Sequence, residues 1–218
     1  ELVEERLWAV IAHPRVQPHF HLSVQSGSDA VLARMKRPYR IEAVYKAVAL
    51  LRKAKPQPFL ACDIIAGFPG ETEADFELTK QLCTICGFAW VHAFPFSPRP
   101  GTEAYTMRPM IANNITSERV EWLETFSKES KTAYIESFAG KTLPAICESV
   151  LQTHRVANRV VVHAVTSNFL HCQLRFSPTD AHIPPQGAVI TLRVRRALMA
   201  GERTGESDTL AELVAIEA

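Results

Sequence analysis

A chain of 218 residues, 47% of them apolar, is long enough to bury one large core or two smaller ones. Its 24 Lys and Arg against 23 Asp and Glu leave a net charge of +1, which excludes a uniformly basic nucleic-acid coat and an acidic disordered tail. No apolar run approaches the roughly 18 residues of a membrane span, and no signal-peptide pattern stands at the start. Five cysteines, an odd number, argue against a disulfide framework and for a reducing cytoplasm. The chain starts at Glu1 with residues that read as mid-helix, so it is expected to be a piece of a longer polypeptide.

In chain order, Leu2 to Ala12 is amphipathic and stops at His13-Pro14, where proline disfavours further helix. His19 to Val24 reads as a strand, and Ser26-Gly27-Ser28-Asp29 as a turn that caps a helix from Ala30 to Met35. The next helix runs from Ile41 to Lys53, with Ile41, Val44, Tyr45, Val48 and Leu51 on one face. Beyond Pro56 and Pro58 lies a strand from Phe59 to Ile65, and Gly67-Phe68-Pro69-Gly70 turns into a helix. That helix starts with a capping box, Thr72-x-x-Asp75. It stops at Gly87, and Phe88 to Phe96 forms a third strand. Strand, helix, strand, helix, strand is the pattern of parallel βαβ units. After the prolines at 98, 100 and 109, a long helix from about Ser117 to Phe138 carries Val120, Leu123, Phe126, Tyr134 and Phe138 as its apolar stripe.

From Lys141 onward the period falls to two. Leu170, Cys172, Leu174 and Phe176 alternate with His171, Gln173 and Arg175; Ile190, Leu192 and Val194 alternate with Thr191, Arg193 and Arg195. With strands near Leu143–Leu151, Arg159–Val165 and Leu210–Ile216, this part reads as a small barrel of OB-like type. The fold class is therefore α/β, parallel βαβ units over 1–139 followed by an all-β barrel over 140–218.

The first strand places His19, His21, Ser23 and Gln25 on one face and Phe20, Leu22 and Val24 on the other. Parallel strands buried on both sides normally read as continuous apolar runs. A polar face here fits either a lumen that holds a polar ligand or an edge strand with a solvated side. Gln25 ends its strand and Asp63 comes late in the next, at the end where β/α barrels build their sites. A carboxylate inside the apolar run around Asp63 requires a partner: a helix N-terminus, a lysine or a ligand hydroxyl. Arg37, between a short helix and Pro38, is either solvated or a fork for a carboxylate.

His21-Leu22-Ser23-Val24-Gln25-Ser26-Gly27-Ser28-Asp29, Met35-x-Arg37-x-Tyr39, Asp63-Ile64-Ile65-Ala66-Gly67-Phe68-Pro69-Gly70-Glu71-Thr72 and Phe96-Ser97-Pro98-Arg99-Pro100-Gly101-Thr102, in this order, resemble the radical-SAM methylthiotransferases over about residues 1–140. The remainder is similar to their C-terminal TRAM domain, a small RNA-binding barrel. Val91-His92-Ala93-Phe94-Pro95-Phe96-Ser97 is most similar to the branch that acts on threonylcarbamoyladenosine in tRNA, with the isopentenyladenosine branch next. The resemblance implies the C-terminal part of a radical-SAM barrel and a reaction that places a methylthio group on carbon 2 of a modified adenosine beside the anticodon. It further implies S-adenosylmethionine (SAM) cleaved by a reduced cluster to a deoxyadenosyl radical, and a second 4Fe-4S cluster for sulfur insertion. By the same resemblance Gln25 and Asp63 hold ribose hydroxyls and Arg37 binds the methionine carboxylate. Ser26 belongs to the same SAM-binding set, and Phe94 to Ser97 border the adenine.

The family's C-x3-C-x2-C motif is absent from these residues. Cys62, Cys83, Cys86, Cys147 and Cys172 do not replace it, and Cys83-x-x-Cys86 falls on a helix without a second ligand pair. The expectation is a chain with no cluster, metal or catalytic residue of its own, inactive alone, with both clusters held outside it. Glu71 is assigned either to its helix N-terminus or to the methionine moiety. Arg99 suits the nucleotide, an RNA phosphate or plain solvent. His171, Gln173 and Arg175 with Thr191, Arg193 and Arg195 form a basic stripe for the tRNA anticodon stem-loop if their strands are neighbours; a solvated sheet face is the other reading. A non-catalytic tRNA-binding adaptor is the alternative to the enzyme. The first strand would present a raw edge, to be covered by self-association or a partner segment.

Overall fold

The computed structural model describes residues 7–153 and 159–217; Leu2 to Arg6 of the expected first helix therefore lie outside the described residues. The chain divides into two compact units, Glu1–Lys131 and Thr132–Ala218.

The first unit contains α1 (Trp8–Ala12), β1 (His19–Gln25), α2 (Asp29–Arg34), α3 (Ile41–Ala54), β2 (Phe59–Ala66), α4 (Glu73–Cys86), β3 (Trp90–Pro95), α5 (Glu103–Thr106) and most of α6 (Asn113–Glu136). The strands form one parallel sheet in sequence order, β1-β2-β3. Its core joins Leu22 and Val24 of β1, Leu60, Cys62 and Ile64 of β2 and Val91 of β3 to helical side chains. Among the latter are Val44, Val48, Leu51, Phe76, Leu82 and Leu123. On α3 it is Ala47, not Tyr45, that completes the buried stripe: a methyl fits where helix and sheet approach closely, and the phenol ring stays at the exposed margin.

Local chemistry sets the ends of these elements. Thr72 and Asp75 form the expected capping box, Asp75 N–H donating to Thr72 Oγ1 at 3.1 Å and Thr72 N–H to Asp75 Oδ2 at 2.9 Å. Gly87 closes α4 in the left-handed region at φ 52°. α6 begins four residues before the expected Ser117 and lies along β3, where Ser127 Oγ accepts from Val91 N–H at 2.9 Å and Ser130 Oγ donates to the Phe88 carbonyl. Side chains thereby satisfy backbone groups that a sheet edge would leave open.

The second unit is a closed barrel of β4 (Thr142–Thr153), β5 (Arg159–Thr166), β6 (His171–Phe176), β7 (Val189–Ala197) and β8 (Thr209–Ile216), in the order β4-β5-β6-β8-β7. All pairings are antiparallel except the short parallel contact of β6 with β8. This is the Greek-key closure of an OB-like barrel. Val162, Ala164, Cys172, Leu174, Ile190, Leu192 and Val194 fill it, joined by Ile135 and Phe138. The inward-facing residues are the apolar members of the period-two runs.

The turn after β1 is held against α4 without clearance. Gly27 N–H donates to Thr79 Oγ1 at 2.9 Å, and a Cβ on Gly27 would stand 2.3 Å from the Thr79 Cα. Backbone cannot yield as a flexible side chain does, so Gly27→Ala should cost about 2 kcal/mol or more in urea unfolding. Gly201→Ala, with nothing within 4 Å, should stay within about 0.5 kcal/mol. Equal, small effects of the two would contradict the close approach.

Candidate functional site

Alternation along the sheet leaves one face to the helices and the other to polar side chains. On the second face His21 Nε2 lies 2.7 Å from Asp63 Oδ1, and Ser23 Oγ donates to Asp63 Oδ2 at 3.4 Å. The partner that Asp63 requires is thus neither a helix N-terminus nor a lysine but the histidine two residues before Ser23 on the neighbouring strand. His92 stands opposite Asp63 in register. Its ring stacks on that of His21 with centroids 4.9 Å apart, and Phe94 continues the stack at 6.5 Å. Partial desolvation and the neighbouring His21 and Lys131 push the imidazole of the exposed His92 below its ordinary pKa, against the opposing pull of Asp63. His92 was not singled out as a site residue by its chemistry; the period-two pattern of Trp90, His92 and Phe94 was the signal that could have found it.

At the carboxyl ends of the strands, Gln25 closes β1 with φ 71°, in the region that favours glycine, where the register against β2 shifts. The residue is largely buried, and its amide, which makes no hydrogen bond among the described residues, keeps access to solvent. An amide with open polar atoms on an otherwise buried side chain can serve a ligand that enters there. Ser26 is buried beside it and accepts from Ser28 N–H at 3.2 Å. Tyr39 donates from its hydroxyl to the Ser23 carbonyl at 2.6 Å, fixing the chain beyond α2 to the end of β1.

Arg37 is exposed, and its guanidinium makes no hydrogen bond or ion pair among the described residues. It borders a hollow of about 200 Å³ with Arg34, Ile65, Phe68, Phe96 and Met107. The end of β2, the start of the loop after β3 and the turn after α2 therefore meet there. Phe94, Ser97 and Arg99 are exposed on β3 and that loop; no structural partner occupies the Arg99 guanidinium among the described residues. Gln25, Asp63 and Phe94 thus share one end of one sheet, and Arg37 flanks it through Ile65 and Phe96.

Glu71 has a different place from either expected one. It is buried, its Oε2 accepts from Gly67 N–H and from Arg119 Nη1, both at 2.7 Å, and Arg119 Nη2 reaches Glu73 at 3.2 Å. Burial lifts the Glu71 carboxyl above its usual value, with the Gly67 amide and the Arg119 charge pulling it back. Arg119 escaped notice because α6 was read for its apolar stripe; a buried acid at Glu71 implied a cation, but its position in the chain was not marked by any motif. The pair fixes the Gly67–Gly70 turn at the mouth of the hollow.

In the barrel, β8 lies between β6 and β7, so the two strands of the expected stripe are not neighbours. Glu212 of β8 accepts from Arg193 at 3.2 Å and also binds Arg195, while Arg175 donates to the Glu202 carbonyl at 3.2 Å. Gln173 is fully buried and serves Thr204. Arg175 and Arg195 nevertheless border one hollow of about 510 Å³ with Phe176, His182 and Glu212. Its charge is mixed rather than a continuous basic stripe. Nearby, Arg196 clamps Glu202 with two 2.7 Å contacts and holds that carboxyl at about 2.

All five cysteines are buried and free. Burial raises the thiols of Cys62, Cys86, Cys147 and Cys172, the opposite of what a ligating thiolate needs. Among the described residues no three His, Cys, Asp or Glu side chains converge as metal ligands, and no helix is long and apolar enough to cross a membrane.

The family model of the Radical SAM superfamily matches residues 2–83. The chain is 45% identical over 170 residues to the threonylcarbamoyladenosine tRNA methylthiotransferase MtaB of Treponema pallidum (strain Nichols), which covers 78% of this chain and 33% of that protein. It is 41% identical over 145 residues to MtaB of Thermotoga maritima, covering 66% of this chain and 33% of the relative. With the tRNA-2-methylthio-N(6)-dimethylallyladenosine synthase of Sphingopyxis alaskensis it shares 37% over 142 residues, 64% of this chain and 32% of the relative. The chain thus spans about a third of the length of these curated relatives.

Removing the guanidinium would leave the Glu71 carboxylate buried and unpaired. Arg119→Ala should cost about 3–5 kcal/mol at pH 7 in urea unfolding. The deficit should shrink as pH falls toward 4, because a folded-state pKa raised above the unfolded one favours the folded form at low pH. A loss below about 1 kcal/mol, or one indifferent to pH, would contradict a buried ionic lock.

Proposed function

We propose that this chain is part of a radical-SAM methylthiotransferase, and that the protein it comes from places a methylthio group on carbon 2 of N6-threonylcarbamoyladenosine beside the tRNA anticodon. The observation that carries this reading is the 45% identity to the Treponema pallidum enzyme named for that nucleoside, against 37% for the dimethylallyladenosine synthase.

Two cofactors go with the proposal, SAM and a pair of 4Fe-4S clusters. SAM bound with a reduced cluster supplies the radical that activates the adenine carbon. The residues at the strand ends suit SAM in unequal measure. Arg37 has a guanidinium unclaimed among the described residues beside a hollow that Ile65, Phe68 and Phe96 line together with Arg34, Lys36 and Glu103, and that guanidinium suits a methionine carboxylate. Gln25 offers an amide unbonded among the described residues to the ribose hydroxyls, with Ser26 adjacent, and Phe94 and Ser97 border the adenine. Asp63 already accepts from His21 and Ser23, so a ribose hydroxyl would share its oxygens. The cysteines do not suit a cluster: all are buried, and no ligand triad exists among the described residues. We therefore assign both clusters to ligands outside this chain, and no turnover to the chain alone.

Residues 1–139 are assigned to the SAM-binding barrel portion and 140–218 to a TRAM-like RNA-binding barrel. There Arg175, Arg193 and Arg195 contact the phosphates of the anticodon stem-loop, and Arg99 approaches the RNA from the first part. Glu212 competes for Arg193 and Arg195, so RNA binding exchanges an intramolecular pair for phosphate contacts. The outer edge of β1, with no strand beside it among the described residues, is where copies of the isolated chain would associate. A tRNA-modifying role places the protein in the cytoplasm.

Nucleoside mass spectrometry of tRNA from cells lacking the full-length protein tests the substrate. Loss of 2-methylthio-N6-threonylcarbamoyladenosine with accumulation of its unthiolated form is expected. Intact levels of that nucleoside, with loss of the methylthio dimethylallyl form instead, would overturn the proposal in favour of the sister branch.

A further inference from the structure

The polar face of the sheet holds one side chain whose orientation is fixed but whose hydrogen-bonding groups are unused. The His92 ring lies nearly parallel to His21 at 4.9 Å and 11°, and nearly parallel to Phe94 at 6.5 Å and 15°. The Trp90 ring meets it edge-on at 6.0 Å. His21 is itself held by Asp63 at 2.7 Å. The stack is thus anchored across β1 and β2 by that hydrogen bond and set by the β2–β3 register that places His92 opposite Asp63. In contrast to His21, His92 makes no hydrogen bond from either ring nitrogen among the described residues.

A ring fixed by its neighbours, with one N–H donor and one acceptor left over, gives a directional contact at little ordering cost. The charged and titratable groups bearing on it are His21, Asp63 and Lys131. Lys131 holds its ammonium 5.0 Å from the Trp90 ring centroid. Two of the three are bases, and the one acid is already occupied by His21 and Ser23. A hydrogen-bond acceptor carrying negative charge therefore suits this position better than a donor or a hydrocarbon. Of the two N6 substituents named among the relatives, threonylcarbamoyl ends in a carboxylate and a hydroxyl, whereas dimethylallyl is hydrocarbon throughout. A hydrocarbon would cover the imidazole without satisfying it, and sites built around a polar group discriminate strongly against a ligand that leaves that group unpaired.

We propose that His92 is a specificity-determining residue, its free ring N–H receiving the carboxylate of the N6 substituent while the His21–Asp63 pair holds its ring in place. The inference rests on the threonylcarbamoyladenosine reading above and adds to it a residue and a contact.

The test uses the full-length, cluster-reconstituted protein and three anticodon stem-loop RNAs. These carry N6-threonylcarbamoyladenosine, its methyl ester and N6-dimethylallyladenosine; the ester keeps the size and removes the charge. Binding is read by fluorescence anisotropy without turnover, and kcat/KM by methylthio product. The wild type should favour the acid over the ester by about tenfold or more in both readouts. His92→Ala should bring the two within about threefold, and His92→Gln, which keeps a donor, should restore part of the preference. SAM binding by each variant reports whether the site still folds. Full acid-over-ester preference in His92→Ala, or none in the wild type, would overturn the inference while leaving the nucleoside assignment standing. A wild type that binds and modifies only the dimethylallyl RNA would instead overturn the assignment on which it rests.

Discussion

A parallel sheet packed by helices on one side only must present its other side to something polar, and this constraint organises the first unit. Leu22, Val24, Leu60, Cys62, Ile64 and Val91 go to the helices. The intervening positions, His21, Ser23, Asp63 and His92, cannot be buried in apolar surroundings and instead bond and stack with one another. The same alternation that builds the core therefore builds the face where a ligand can lie. Sliding one strand by a single residue would exchange the two sets and lose both at once.

The carboxyl ends of the strands are fixed by contacts that reach across the chain. Ser28, the N-cap of α2, donates to Asp75 at 2.5 Å, and Asp75 belongs to the capping box of α4. Burial works against the Asp75 carboxylate, but the hydrogen bonds from Ser28 and Thr72 hold its pKa below the ordinary range. Gly27 touches Thr79, and Glu71 ties Gly67 to Arg119. Each bond ties the turn after β1 or the turn after β2 to a helix, so the strand ends that carry Gln25 and Asp63 lead into braced turns. Pre-organised loops lower the cost of ordering on binding, which is what a small cofactor site requires.

The elements were legible in the sequence because periodicity, caps and breakers agreed. The Thr72–Asp75 box, Gly87 and the period-two runs after Lys141 each carried a local physical signal. Asp63 was recognisable as needing a partner, but not which one, since the identity of the partner depends on strand register. Arg119 lies 48 residues from Glu71, and no local pattern links them. The barrel shows the same limit. Alternation correctly set Arg175, Arg193 and Arg195 apart from the apolar core, yet the strand order that inserts β8 and Glu212 between β6 and β7 is a matter of topology. It turns a presumed basic stripe into a set of paired charges.

The claim on which this account rests is that the strand ends form a SAM cradle whose carboxylate contact is Arg37. A calorimetric titration of SAM into the full-length protein, wild type and Arg37→Ala, tests it directly. Loss of a charge-assisted pair worth about 1.5–3 kcal/mol should weaken binding by roughly ten- to a hundredfold. Unchanged affinity in the Arg37→Ala protein would remove Arg37 from the cradle and contradict the account.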